Sequence, residues 1–128
     1  MAEAKSLNST SATLTNIKTS VQKLNLVAGL IRRQPVGTAL NTLAFTQKRN
    51  AEPARKLLMS AIANAENNNG LDVDRLYVDE VLVGKSITLK RFHCRGRGKG
   101  ARVLKHYSQM TIIVREAEQE DASTADKE

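Results

Sequence analysis

Apolar residues recur at helical spacing through the first half of the chain and at strand spacing through the second. Val21, Leu24, Ala28 and Ile31 are three or four positions apart, with Val27 and Leu30 widening the stripe. Residues at that spacing share one helix face. Thr19 or Ser20 offers a capping oxygen, and the helix is predicted to run to about Arg33. Pro35 ends it, because proline disfavours helical geometry in the residue before it. A short helix is predicted over residues 36–44, with Val36, Ala39, Leu40 and Leu43 on one side. The third helix carries Ala51, Ala54, Leu58, Ala61 and Ala65 on one face, flanked by Leu57 and Ile62. Its small side chains permit close approach to another element. Pro53 fits in a first turn, where no intrahelical N–H bond is lost, which favours Asn50 as the cap. The alternative is a start at Thr46 with a kink at Pro53. Gly70, after Asn67, Asn68 and Asn69, supplies the left-handed residue of a C-cap.

β-Branched bias marks the strands. Residues 10–17 predict a short one. Residues 75–92 (RLYVDEVLVGKSITLKRF) predict a long one, with Gly84 as a bulge or twist point, and residues 101–114 predict its partner. Between them, Gly96, Gly98 and Gly100 supply the positive φ angles of a tight turn. The base of this hairpin is apolar enough for a sheet, whereas residues 85–107 are too basic to pack in a core. An outer arm of roughly ten residues would project about 30 Å, at ~3.3 Å per residue. Such a ribbon is marginal alone in water and needs something to lie against.

Length sets the frame: 128 residues make one domain, assigned to residues 10–115. Residues 1–9 and the acidic tail 116–128 are expected to be disordered. With 3% aromatic residues and no Trp, the core must be aliphatic. No apolar run approaches ~18 residues, which argues against a membrane span. The N-terminal stretch MAEAKSLNSTSATLT lacks the apolar region of a secretory signal. One cysteine, Cys94, excludes an internal disulfide and a Cys-based zinc cluster, and a reducing compartment is expected.

Charge changes the picture most. Residues 1–115 hold 19 basic and 7 acidic side chains, and residues 81–115 hold nine Lys or Arg with no Asp or Glu. Solvated faces normally mix signs. A one-sided surface points to a polyanion. Lys85, Lys90, Arg91, Arg95, Arg97, Lys99, Arg102 and Lys105 lie on the arm, while Phe92, His93, His106 and Tyr107 offer rings for unpaired bases. RNA is favoured over DNA, since no helix-turn-helix or zinc-finger spacing is present and an irregular arm suits a folded RNA.

Catalytic readings fare worse. GRGKG lacks Walker spacing, and Ala101 stands where a metal-binding hydroxyl would be needed. His93 and Cys94 are adjacent on a strand, so they point to opposite faces. Two histidines and one cysteine do not make a usual metal site, and no cofactor is expected. Asp72, Asp74, Asp79 and Glu80 have the wrong spacing for a calcium loop and read as loop and strand-edge residues. A free regulatory module that binds messenger RNA or an acidic protein is the competing class.

Three motifs in order carry a resemblance. Residues 60–70 (SAIANAENNNG) resemble the helix end of the universal large-subunit ribosomal protein twenty-two, the bacterial L-twenty-two family. Ser20-Val21-Gln22-Lys23 with residues 26–32 (LVAGLIR) resembles its first helix. Leu89-Lys90-Arg91-Phe92, Arg95, Arg97-Gly98-Lys99 and Arg102-Val103-Leu104-Lys105 resemble its hairpin. The departures are Cys94, Gly96 and Ala101 at the tip and Pro53 in the third helix.

The resemblance implies an α+β fold, with three helices on a small three-stranded antiparallel sheet and a long protruding hairpin at about residues 84–107. It implies a non-enzymatic, cytoplasmic constituent of the large ribosomal subunit that binds large ribosomal RNA (23S rRNA). Neighbouring ribosomal proteins and the nascent polypeptide would be its other partners, with no self-association. Lys90, Arg91, Arg102 and Lys105 would anchor the arm on RNA, with Lys85 at its base. Lys18, Lys23, Arg32 and Arg33 would add phosphate contacts from the body. Cys94, Arg95, Gly96, Arg97, Gly98 and Lys99 would form the tip that helps line the peptide exit tunnel.

Overall fold

The computed structural model describes residues 8–117. The disorder expected for residues 1–7 and 118–128 lies outside them. Strand β1 (Ser9–Ile17) is followed by helices α1 (Val21–Ile31), α2 (Val36–Phe45) and α3 (Ala51–Asn69), then by strands β2 (Leu76–Cys94) and β3 (Gly100–Glu116). The strands form one antiparallel sheet in the order β1-β3-β2. Three helices on a three-stranded sheet make the α+β fold expected. Ser9 and Glu116 are both paired, one residue beyond the expected domain at each end.

Alternation builds the sheet's inner face. Ser108, Met110, Ile112 and Val114 of β3 are buried, as are Ala12 of β1 and Val78 and Val81 of β2. Leu24, Val27, Ala28 and Ile31 of α1, with Ala39 and Leu43 of α2, close over that core. Ala54, Leu58, Ala61 and Ala65 are fully buried, so the alanine stripe does set α3 close to the sheet. Asn64 Nδ2 donates to the Ser11 carbonyl (3.5 Å), and Asn69 Nδ2 donates to the Ser9 carbonyl (3.3 Å) and Thr10 Oγ1 (2.7 Å). β1 is an edge strand, and these amides occupy polar groups that an edge otherwise leaves open to other chains.

The caps follow the sequence reading. Ser20 Oγ accepts from the Lys23 N–H at 3.5 Å. α3 starts after Asn50 with Pro53 in its first turn, so the start at Thr46 is not used. Asn50 gives no side-chain cap; its Nδ2 donates instead to Thr19 Oγ1 at 3.0 Å, tying α3 to the turn before α1. Gly70 takes φ 63° and its N–H donates to the Ala65 carbonyl. Nothing lies within 4 Å of a Cβ added there, so the cost of Gly70→Ala is conformational alone. It is expected to cost about 1 kcal/mol and to lower Tm by roughly 3–6 °C in a thermal melt.

Three expectations need correction. α1 stops at Ile31, short of Arg33, because the chain there turns to the sheet edge. Arg33 takes φ 64°, its N–H donates to the Val78 carbonyl (3.0 Å), and the Val78 N–H donates to the Gln34 carbonyl (2.9 Å). Leu30 does not widen the buried stripe; it is 41% exposed. Gly84 is not a bulge, since it pairs in register with Gln109. β2 shifts register between Lys85 and Thr88 and again between Val78 and Glu80. β1 shifts between Leu14 and Ile17, across β3 from the first of these. Asn16 there takes φ 60°, and Ser86 Oγ donates to Asn16 Oδ1 at 2.7 Å. Both neighbours of β3 therefore bulge at the level of Ser108, whose hydroxyl donates to the Thr19 carbonyl at 3.0 Å. Beyond that point the sheet is two strands wide.

Candidate nucleic-acid interface

The two-stranded arm pairs from Thr88 with His106 to Cys94 with Gly100. Directly opposed residues share a face. One face carries Lys90 opposite Leu104 and Phe92 opposite Arg102; the other carries Leu89 opposite Lys105 and Arg91 opposite Val103. Cations thus stand on both faces, and neither face can bury itself against the body. His93 and Cys94 fall on opposite faces, as expected of neighbours on a strand.

The tip is closed by the Arg95 N–H donating to the Lys99 carbonyl (2.8 Å) and the Lys99 N–H to the Gly96 carbonyl (3.4 Å). Of the three glycines expected to take positive φ, only Gly98 does, at 68°. Arg97 shares the left-handed region at φ 61°, although it has a side chain. Gly100 leaves room for the Phe92 ring where it lies. A Cβ there would lie 2.1 Å from Phe92 Cε2 and 2.3 Å from Cζ.

Among the described residues, none of Lys85, Lys90, Arg91, Arg95, Arg97, Lys99, Arg102 and Lys105 is ion-paired. Arg91 donates only to its neighbour's carbonyl, that of Lys90, at 3.0 Å. The body cations stand differently. Arg32 donates through Nε and Nη2 to the Val81 carbonyl (3.3 and 3.0 Å) and through Nη2 to Asn25 Oδ1 (2.7 Å). Arg33 Nη1 donates to Asp79 Oδ1 at 3.3 Å. Asp79 lies on the edge strand β2, as its strand-edge reading had it, but it is buried, and Arg115 Nη2 holds its other oxygen at 3.1 Å. Arg33 lies toward the end of the sheet away from the arm, where α1 finishes beside Val78, and Arg32 lies at mid-sheet beside Val81. Lys23 is exposed on the first turn of α1, at the arm end.

Sequence reasoning named Lys18 and Lys23 at that end but missed the cations of residues 48–56 that gather beside Lys18. Ile17 pairs with Ser108, which puts Lys18 at the arm's base. Lys18, Arg49 and Lys56 line a cleft of about 300 Å³ with Glu52 and Pro53. Lys48, Arg49 and Arg55 line an adjoining cleft of about 360 Å³. Only Lys56 of these is ion-paired among the described residues, to Glu52 at 3.7 Å and fully in solvent's reach, where such a pair is worth little. Two basic pairs seven positions apart, Lys48-Arg49 and Arg55-Lys56, were the available signal.

Residues 12–115 match the family model described as ribosomal protein L22p/L17e. The chain belongs to that family. A protein named large ribosomal subunit protein uL22 from Novosphingobium aromaticivorans is 62% identical over 105 residues, covering 82% of this chain and 84% of the relative. Its namesake from Methylobacterium nodulans is 56% identical over 115 residues, covering 90% and 91%. That of Maricaulis maris is 54% identical over 112 residues, covering 88% and 89%. The matched span of the L22p/L17e model includes the whole arm and the basic collar at its base.

Proposed function

We propose that this chain is a non-enzymatic constituent of the large ribosomal subunit, cytoplasmic with the ribosome, and that it holds large ribosomal RNA (23S rRNA) along its arm. The observation that carries this is the set of eight arm cations with no described ionic partner, spread over both faces of a ribbon with no core. Such a ribbon repels itself in isolation and is stabilised by surrounding phosphates, which Arg binds through a planar fork. Lys18, Lys23, Lys48, Arg49 and Arg55 form a collar that would meet the same RNA where the arm enters it. Arg32 and Arg33 would reach phosphate only as members of existing networks. The tip, Cys94 to Lys99, would reach the exit tunnel and meet the nascent chain, with other ribosomal proteins beside it.

Binding of the full chain to 23S rRNA is expected to weaken steeply with salt. The slope of log affinity against log salt should reach about −6, each neutralised phosphate adding roughly −0.7 to −0.9. Filter binding from low to moderate salt reads this directly. Crosslinks from Arg95 and Arg97 should fall on large-subunit RNA, and the protein should sediment with large subunits in a lysate. A flat salt response, or a pool that stays free of ribosomal particles, would overturn the reading.

A further inference from the structure

Phe92 is 73% exposed on a strand in solvent, and its ring leans across to the partner strand. Its edge rests above the α-carbon of Gly100, at the diagonal position on the partner strand, where any side chain would collide with it. The missing side chain at Gly100 lets the ring lie on the face of the ribbon with most of its surface bare. Arg102 stands directly opposite on the same face, and Lys90 stands two pairs nearer the body on that face. Cross-strand neighbours have Cβ atoms about 5 Å apart. One nucleotide can therefore offer its base to the ring and its phosphate to the guanidinium.

We propose that Phe92, seated on Gly100 and flanked by Arg102, is a stacking site for an unpaired nucleobase. This rests on the RNA-binding reading of the arm and names a contact within it. Stacking uses the π-face that all four bases share, so the site would be tolerant of sequence. It supplies what the eight cations lack, since charge alone registers phosphates and does not distinguish a splayed base from a paired one. His93, on the other face, and Tyr107, half-buried at the bulge, have no comparable bare ring beside an opposed arginine.

The full chain should be tested with two probes of equal length, a single-stranded oligoadenylate and an abasic ribose-phosphate oligomer. Phe92→Leu is expected to weaken oligoadenylate binding roughly ten- to hundredfold. The salt slope and the affinity for the abasic oligomer should not change. The chain contains no Trp, so Phe92→Trp provides a single reporter, whose emission should be quenched by oligoadenylate and not by the abasic oligomer. Gly100→Ala should displace the ring and weaken oligoadenylate binding, with no further loss when added to Phe92→Leu. Equal losses on both oligomers, or none on either, would overturn the stacking site and leave the charge-based reading intact. Failure of the unaltered chain to bind either oligomer would overturn both.

Discussion

A chain in which an Asn-Gly turn replaces residues 85–106 is expected to melt like the full protein yet to lose at least about a thousandfold in affinity for large-subunit RNA. The two halves of that expectation have separate causes. None of the buried residues described in the core lies within 85–106; the last on β2 is Val81 and the first on β3 is Ser108. The β2–β3 ladder from Glu116 to Gln109, the Ile17–Ser108 pairing, the Ser108–Thr19 hydrogen bond and the Asn50–Thr19 contact all stay in place. The deletion also removes a two-stranded ribbon that contributes little stability of its own. Binding has the opposite dependence. All eight unpaired arm cations go, and proteins with that many phosphate contacts owe most of their affinity to counterion release. The remaining collar should leave weak binding with a much shallower salt slope. A thermal melt followed by circular dichroism checks the fold, and filter binding checks the affinity. Normal incorporation of the deleted chain into large subunits would defeat the idea that the arm is the principal RNA contact.

The arm was legible because three simple signals agree there: β-branched strands, a glycine-rich turn, and charge of one sign. The helices were legible from the spacing of Leu and Ala, down to the choice of Asn50 over Thr46 as the start of α3. What failed were features decided by a second segment. α1 ends where it does because Gln34 and Arg33 find Val78, some forty-five residues later in the chain. The bulge sits beyond Gly84 because Asn16 and Ser86 bulge together on either side of β3. Of the collar, Lys18 and Lys23 were named from the sequence, but Lys48, Arg49, Arg55 and Lys56 escaped notice because they reach Lys18 only after α3 is tied to the turn before α1. Arg97 occupies a left-handed position that composition assigns to glycine, and local propensity cannot tell which residue of a short turn will take it.

Asp79→Ala is expected to destabilise the body by about 2–3 kcal/mol, and Asp79→Asn by somewhat less. Asp79 is the extra residue of the bulge between Val78 and Glu80, and the irregular backbone there places its carboxylate between two guanidinium groups. Arg33 Nη1 lies 3.3 Å from one oxygen and Arg115 Nη2 lies 3.1 Å from the other, and the Asp79 side chain is only 8% exposed. Breaking a fully buried pair costs about 3–5 kcal/mol. The figure is smaller here because the Arg33 side chain is 74% exposed and can return to water. Arg115 cannot do so as easily, being 31% exposed, with an Nε that is buried and has no hydrogen-bond partner. Most of the loss should therefore pass through Arg115. Arg33→Ala is expected to cost under about 1 kcal/mol, in the range of an exposed pair. Arm-dependent RNA affinity measured well below Tm should be the same in all three variants, since the site lies at the opposite end of the sheet. Urea denaturation of Asp79→Ala, Asp79→Asn and Arg33→Ala separates the terms. If Arg33→Ala proved as damaging as Asp79→Ala, the carboxylate would be acting chiefly through Arg33 to hold the end of α1, and the weight given to Arg115 would be wrong.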